Sequence, residues 1–160
     1  MPIKKKMESG KLAGPGNVLP HQYIISDLIF YARKKLKNSE YKVLSEISIS
    51  QIGTLYNDKK FTANHNIDFV IFDAKTLKIV FIAEVERTDR GKNQTLKKLK
   101  ECLTHIPTIK EAYTISFDVN LKTIILRYEI VKGKLEVVST SSDSAFLGYN
   151  LKRSFVSLNY

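Results

Sequence analysis

A chain of 160 residues with 43% hydrophobic content can bury a real core and suggests one domain, since two would be cramped. Its 26 Lys and Arg outnumber 16 Asp and Glu, and the resulting +10 points to a polyanionic partner, either nucleic acid or an acidic membrane surface. The single Cys102 excludes an intramolecular disulfide and any Cys-based structural zinc site and suits a reducing, cytoplasmic setting, while no apolar run is long enough for a secretory or transmembrane segment.

Residues 1–20 hold three of the four prolines, three of the seven glycines and four lysines, so they read as a flexible basic N-terminal arm ahead of a single domain over residues 21–160. From His21 onward Ile24, Ile25, Leu28, Ile29, Ala32 and Leu36 keep helical spacing, which predicts a helix over residues 21–37. Arg33, Lys34, Lys35 and Lys37 crowd its last turns, where cations complement the helix dipole. Residues 41–49 should form the first strand, with Glu46 inside it and expected to face solvent. Residues 52–64 show little pattern and read as a loop.

The centre of the chain is residues 66–86, where three acids interrupt two apolar runs. Residues 67–72 and 79–85 are rich in β-branched and aromatic side chains, apolar on both faces, and joined by the turn-like Asp73-Ala74-Lys75-Thr76. A hairpin inside a covered sheet follows. Side chains two apart on a strand share a face, so Asp68, Val70 and Phe72 group together, as do Val80, Ile82, Glu84 and Glu86. Pairing Phe72 with Val80 and Val70 with Ile82 places Asp68 across from Glu84, with Cβ atoms roughly 5 Å apart. Two buried carboxylates so placed repel, and a divalent cation is the simplest compensation, because Mg²⁺ takes one or two carboxylates with phosphate and water.

Beyond a polar break at residues 87–92, Leu96, Leu99, Leu103 and Ile106 give a helix over residues 93–105 one apolar stripe, closed by Pro107. Residues 87–100 carry six basic residues, Arg87, Arg90, Lys92, Lys97, Lys98 and Lys100, against one acid, which beside an acidic site supplies phosphate-directed charge. Strands are predicted at residues 111–117, 123–131 and 134–138, the last two joined tightly at Lys132-Gly133. Residues 139–144 read as a polar linker, and residues 145–160 as irregular packing or one more edge element. There is no internal repeat, no phosphate-binding glycine loop and no Ser-His-Asp spacing. His21, His65 and His105 lack metal-site spacing, although His65 lies three residues before Asp68.

Asp68, the hairpin, then Glu84-Val85-Glu86 and a basic helix together resemble the PD-(D/E)xK nuclease superfamily, which has the restriction-endonuclease-like fold. Its usual motif sets an acid on one strand and acid-x-Lys on the next. Glu86 stands where that lysine would be, as in the acid-x-Glu variant of some type II restriction enzymes. The wording around the two strands also looks like a bacterial domain of unknown function placed in that superfamily and found beside DNA-processing modules. The resemblance spans residues 41–118. It implies an α/β fold with a mixed β-sheet flanked by helices, and a Mg²⁺- or Mn²⁺-dependent endonuclease acting on nucleic acid, DNA being the expected substrate. Asp68 and Glu84 would hold the metal, with Glu86 ligating it or orienting the attacking water. Gln94, or one of Lys92, Lys97 and Lys98, could enter from the helix in place of the motif lysine, so Gln94 and Lys97 join the acids as catalytic candidates. A homodimer is a natural expectation for cutting both strands of a duplex. The competing readings are a catalytically silent nucleic-acid-binding or assembly module of the same fold, and a structural domain whose acids pair with Arg87 or nearby lysines.

Overall fold

The computed structural model describes residues 15–48, 66–87, 92–118, 120 and 122–143. They form helix α1 (Pro15–Lys35), strands β1 (Tyr41–Ser48), β2 (Asn66–Asp73) and β3 (Lys78–Arg87), helix α2 (Lys92–His105), and strands β4 (Glu111–Phe117), β5 (Thr123–Val131) and β6 (Lys134–Asp143). The strands make one six-stranded sheet in the order β1-β2-β3-β4-β5-β6. Every neighbouring pair is antiparallel except β3 and β4, which run parallel and are joined through α2. This is an α/β mixed sheet flanked by helices, in the order that the resemblance implies.

The apolar runs explain the layering. A strand buried on both faces cannot alternate in polarity. β3 accordingly is buried without interruption from Ile79 to Val85. One face packs Phe69, Phe81, Ala83, Tyr113 and Ile115 under Ile24, Leu28 and Ala32 of α1. The other packs Val70, Ile82 and Ala112 under Leu99 and Cys102 of α2 and Ile106 just beyond its end. Three aromatic rings cross the first face: Phe69 meets Phe81 edge to face at 5.8 Å, and Phe81 stacks on Tyr113 at 5.3 Å. Such pairs contribute about 0.5–1.5 kcal/mol beyond their area.

Four sequence expectations are corrected. The first helix starts at Pro15, six residues ahead of the predicted His21, with Pro20 inside it, so the arm expected over residues 1–20 already contains helix. Residues 1–14 lie outside the described residues. The hairpin pairs Phe72 with Ile79 rather than Val80. Val80 is an extra residue in β3, and its carbonyl accepts the Lys110 N–H at 2.8 Å, joining the approach to β4. The pairing predicted nearer the acids, Val70 with Ile82, is present. β6 continues to Asp143 through most of the expected linker, because each of these polar residues pairs along β5 as far as Thr123. The buried stripe of α2 is Thr95, Leu99 and Cys102, continued by Ile106 just beyond its end, with Leu96 and Leu103 only partly covered. Residues 49–65 and 144–160, with the expected loop, His65 and the C-terminal segment, lie outside the described residues.

The turns follow residue chemistry. Asp73 Oδ1 accepts the N–H groups of Lys75 and Thr76 at 2.9 and 3.4 Å, and Leu77 takes a left-handed φ of 59° to re-enter β3. Lys132 and Gly133, at left-handed φ values of 51° and 78°, form a two-residue loop that matches the right-handed twist of the flanking antiparallel strands.

Candidate functional site

The acids meet where the β2–β3 ladder ends. Its last pair is Phe69 with Ala83, and one residue beyond, the Asp68 side chain replaces a backbone acceptor: Oδ2 takes the Val85 N–H at 2.8 Å. Ile67 packs under α2 while Phe69, two residues on, packs under α1, so the strand twists over at Asp68. That twist turns the carboxylate toward Glu84 and leaves it within reach of both helices.

From α1, His21 Nε2 lies 3.3 Å from Asp68 Oδ2. From α2, Lys98 Nζ lies 2.8 Å from Glu84 Oε1 and donates to the Asn66 carbonyl at 3.0 Å, bridging the start of β2 to β3. Thr95, one turn before Lys98, donates its hydroxyl to Glu86 Oε2 at 2.7 Å. Gln22, next to His21, donates to Glu46 Oε1 at 3.0 Å, and Glu46 stands on β1 between the residues paired with Phe69 and Ile67, at a left-handed φ of 53°. Glu46 is solvent-exposed, as its sequence suggested, yet lies close enough to His21 to act on its charge.

The two central carboxyls are driven apart in acidity. Glu84, only 2% exposed, is held well above the usual carboxylate range, first by burial and then by its hydrogen bond and charge contact with Asp68, with Lys98 opposing. Burial pushes Asp68 the same way, but hydrogen bonds from His21, Glu84 and the Val85 backbone outweigh it, and its carboxyl falls below the ordinary range. His21 is raised, chiefly by its hydrogen bond to Asp68 and against the effect of burial. The pair thus resembles one shared negative charge flanked by two cationic side chains.

Among the predicted site residues, Asp68 and Glu84 are in contact, with Lys98 on Glu84. Glu86 is half-buried and tied to Thr95. Gln94, Lys97 and Lys100 are exposed on α2, and Arg87 is half-buried at the end of β3. Arg90 lies outside the described residues, and of Lys92 only the backbone is described. Sequence reasoning missed His21 and Thr95. Thr95 had a faint signal, three residues before Lys98 and so on the same helix face. His21 had none, being 68 − 21 = 47 residues from its partner.

A hard cation can be tested against these donors. Glu84 Oε1 is buried and accepts no hydrogen bond; the Lys98 ammonium is near enough for an ion pair, but its angles fall outside those of a hydrogen bond. Such an oxygen, beside a second carboxylate, fits a Mg²⁺ ligated by one or two carboxylates with phosphate and water. A three-carboxylate site fits less well: among the described residues no three His, Cys, Asp or Glu side chains gather as a metal-binding group, and Glu86 is already engaged by Thr95.

No family model matches the chain, and no curated protein matches it. Among solved structures it is similar to the type IIG restriction endonuclease BpuSI, at 15% identity and a TM-score of 0.45. That likeness covers 84% of this chain, which spans only 15% of the restriction enzyme's length. Among the described residues, no helix is long and apolar enough to cross a membrane.

Proposed function

We propose that this chain is a Mg²⁺-dependent nuclease that hydrolyses phosphodiester bonds, with DNA as substrate, using Asp68 and Glu84 to hold the metal. The carrying observation is the contact of Asp68 with the buried Glu84, whose Oε1 Lys98 approaches from α2. A bound Mg²⁺ supplies a water of lowered pKa and stabilises charge on the scissile phosphate. The protein's own side chains do the rest. Lys98 favours the ionised form of Glu84 and brings a fixed positive charge to where the phosphate arrives. His21 and the Val85 N–H fix the orientation of Asp68, and Thr95 donates to Glu86 Oε2, steadying a carboxylate that can accept a proton from water. Lys97, Lys100 and Arg87 offer phosphate contacts around this centre.

One observation favours the silent binding module instead. His21, Lys98 and Thr95 already compensate the three acids, so repulsion among them does not by itself demand a metal. Thermal melts with and without Mn²⁺, alongside cleavage assays on single- and double-stranded DNA and RNA, separate the two readings. A nuclease gains Tm with metal by mass action and cuts at least one substrate, and Asp68→Asn or Glu84→Gln loses both properties while staying folded. A parent protein with no metal-dependent Tm shift and no cleavage leaves the binding module.

A further inference from the structure

The outer face of α1, away from the acids, carries a feature that neither the core nor the helix dipole explains. Leu19, Tyr23, Ser26, Phe30 and Arg33 recur at alternating steps of four and three, which places them on one stripe. Leu19, Tyr23 and Phe30 are 72%, 50% and 61% exposed. Cations in the last turn of a helix are ordinary, but large aromatic side chains in solvent directly ahead of them are not. Phe30 is also steadied by an edge-on contact with Tyr31 at 5.5 Å. Beside it Ser26, Ile29, Arg33 and Lys34 line the same open, shallow surface.

We infer that this stripe is a second nucleic-acid contact, on which single-stranded bases stack against Phe30 and Tyr23 while Arg33 and Lys34 neutralise the adjoining phosphates. The inference builds on a nucleic-acid partner but not on cleavage, and it differs from the α2 surface named above. A ring with one open face next to a guanidinium and an ammonium is the combination that binds unpaired strands without sequence preference. A duplex, whose bases are stacked on one another, could use only the cations. A second copy of the chain is a poorer occupant: three exposed apolar side chains fall well short of the ~800 Å² per partner of a stable interface, and Arg33 to Lys37 concentrate one sign of charge. An anionic membrane is also a poorer fit, since the cations gather at one end of the helix rather than along its flanks. Phe30 stands nine residues beyond His21, about 13 Å along the axis and on the opposite side of the helix. A strand held there is therefore gripped outside the acid cluster.

The test is fluorescence anisotropy with a short labelled oligothymidine and a duplex of equal length, using the full chain in EDTA so that cleavage plays no part. Phe30→Ala is expected to weaken single-strand binding about tenfold, as loss of one stacked base does, with little change for duplex and an unchanged melt. Arg33→Gln with Lys34→Gln should lower the slope of log Kd against log salt by about 1.4, at ~0.7 per phosphate. The inference is overturned if both variants bind oligothymidine like the parent, if Phe30→Ala weakens only binding to phosphatidylserine vesicles, or if its sole effect is to dissociate a dimer in light scattering. A parent protein that shows no metal-dependent Tm shift and cuts no substrate, beside an intact Phe30 effect, would overturn the nuclease reading alone.

Discussion

Replacing Lys98 by Met keeps most of the stem that crosses α2 and removes the ammonium 2.8 Å from Glu84. Were Glu84 forced to stay ionised at 2% exposure, breaking the pair would cost about 3–5 kcal/mol. The carboxyl has an escape. Its acidity is already weakened by burial and by Asp68, and without Lys98 it keeps its proton to still higher pH, so the penalty is capped at ~1.4 kcal/mol for each pH unit above its new pKa. The folded state then binds a proton that the unfolded state lacks, so the cost of Lys98→Met grows as pH rises. We expect a smaller cost at pH 5.5 than at pH 8, with each kcal/mol worth about 2–4 °C in Tm for a chain of this size. Lys98 also bonds the Asn66 carbonyl, but that loss is common to any background and cancels in a double-mutant cycle. The assay is urea unfolding in EDTA at both pH values for the parent, Lys98→Met, Glu84→Gln and the double variant, with a coupling of about 1.5 kcal/mol expected at pH 8. Additive effects, or a penalty that shrinks as pH rises, would refute the view that Lys98 acts on the Glu84 charge.

Lys97→Ala and Lys98→Ala should separate in cleavage assays. The exposed Lys97 affects only salt-sensitive binding, by severalfold, whereas loss of Lys98 lowers turnover at saturating substrate by about a hundredfold or more; equal effects would remove Lys98 from the site. His21→Gln should flatten the alkaline side of the apo-protein stability profile. The raised His21 stabilises fully below its unfolded pKa of ~6.5 and loses that contribution as pH climbs through its higher folded value, so the two proteins should converge by pH 9 in EDTA melts. Phe81→Ala, at the centre of the aromatic row, should cost about 3–5 kcal/mol in urea unfolding, and a cost under 1 kcal/mol would mean that the row is not closely packed. Gly133→Ala meets open space, so its expected cost of about 1 kcal/mol comes from the backbone at φ 78° alone; a neutral result in the same assay would show that the turn can change type.

The strand pair that carries the acids was legible because strand and turn signals are local, and apolar residues on both faces of β3 require helices above and below. The bounds of β4 and β5 could likewise be read from β-branched runs ended by turn residues. The length of β6 could not. Its polar C-terminal half has little strand preference of its own and is extended only because β5 supplies partners for its backbone. The bulge at Val80 was hidden for the same reason, since it depends on Lys110 arriving beside β3.

The site divides along that line as well. Which lysine reaches Glu84 depends on how α2 is rolled against the sheet: neighbouring residues on a helix are about 100° apart, so the difference between the exposed Lys97 and the buried-ended Lys98 is set by Leu99, Cys102 and Ile106 seating in the core. Glu86 was grouped with the other acids by strand parity, but the threonine that holds it comes from that same docking. His21 reaches Asp68 because α1 packs across the opposite face of the sheet, forming a contact between distant residues that no local pattern encodes. Sequence alone determined that Asp68 and Glu84 would lie at the same end of one hairpin, since the alternation and the turn set its approximate register. Only the tertiary structure decided which cations meet them, because a side chain's reach is fixed by the packing of entire helices.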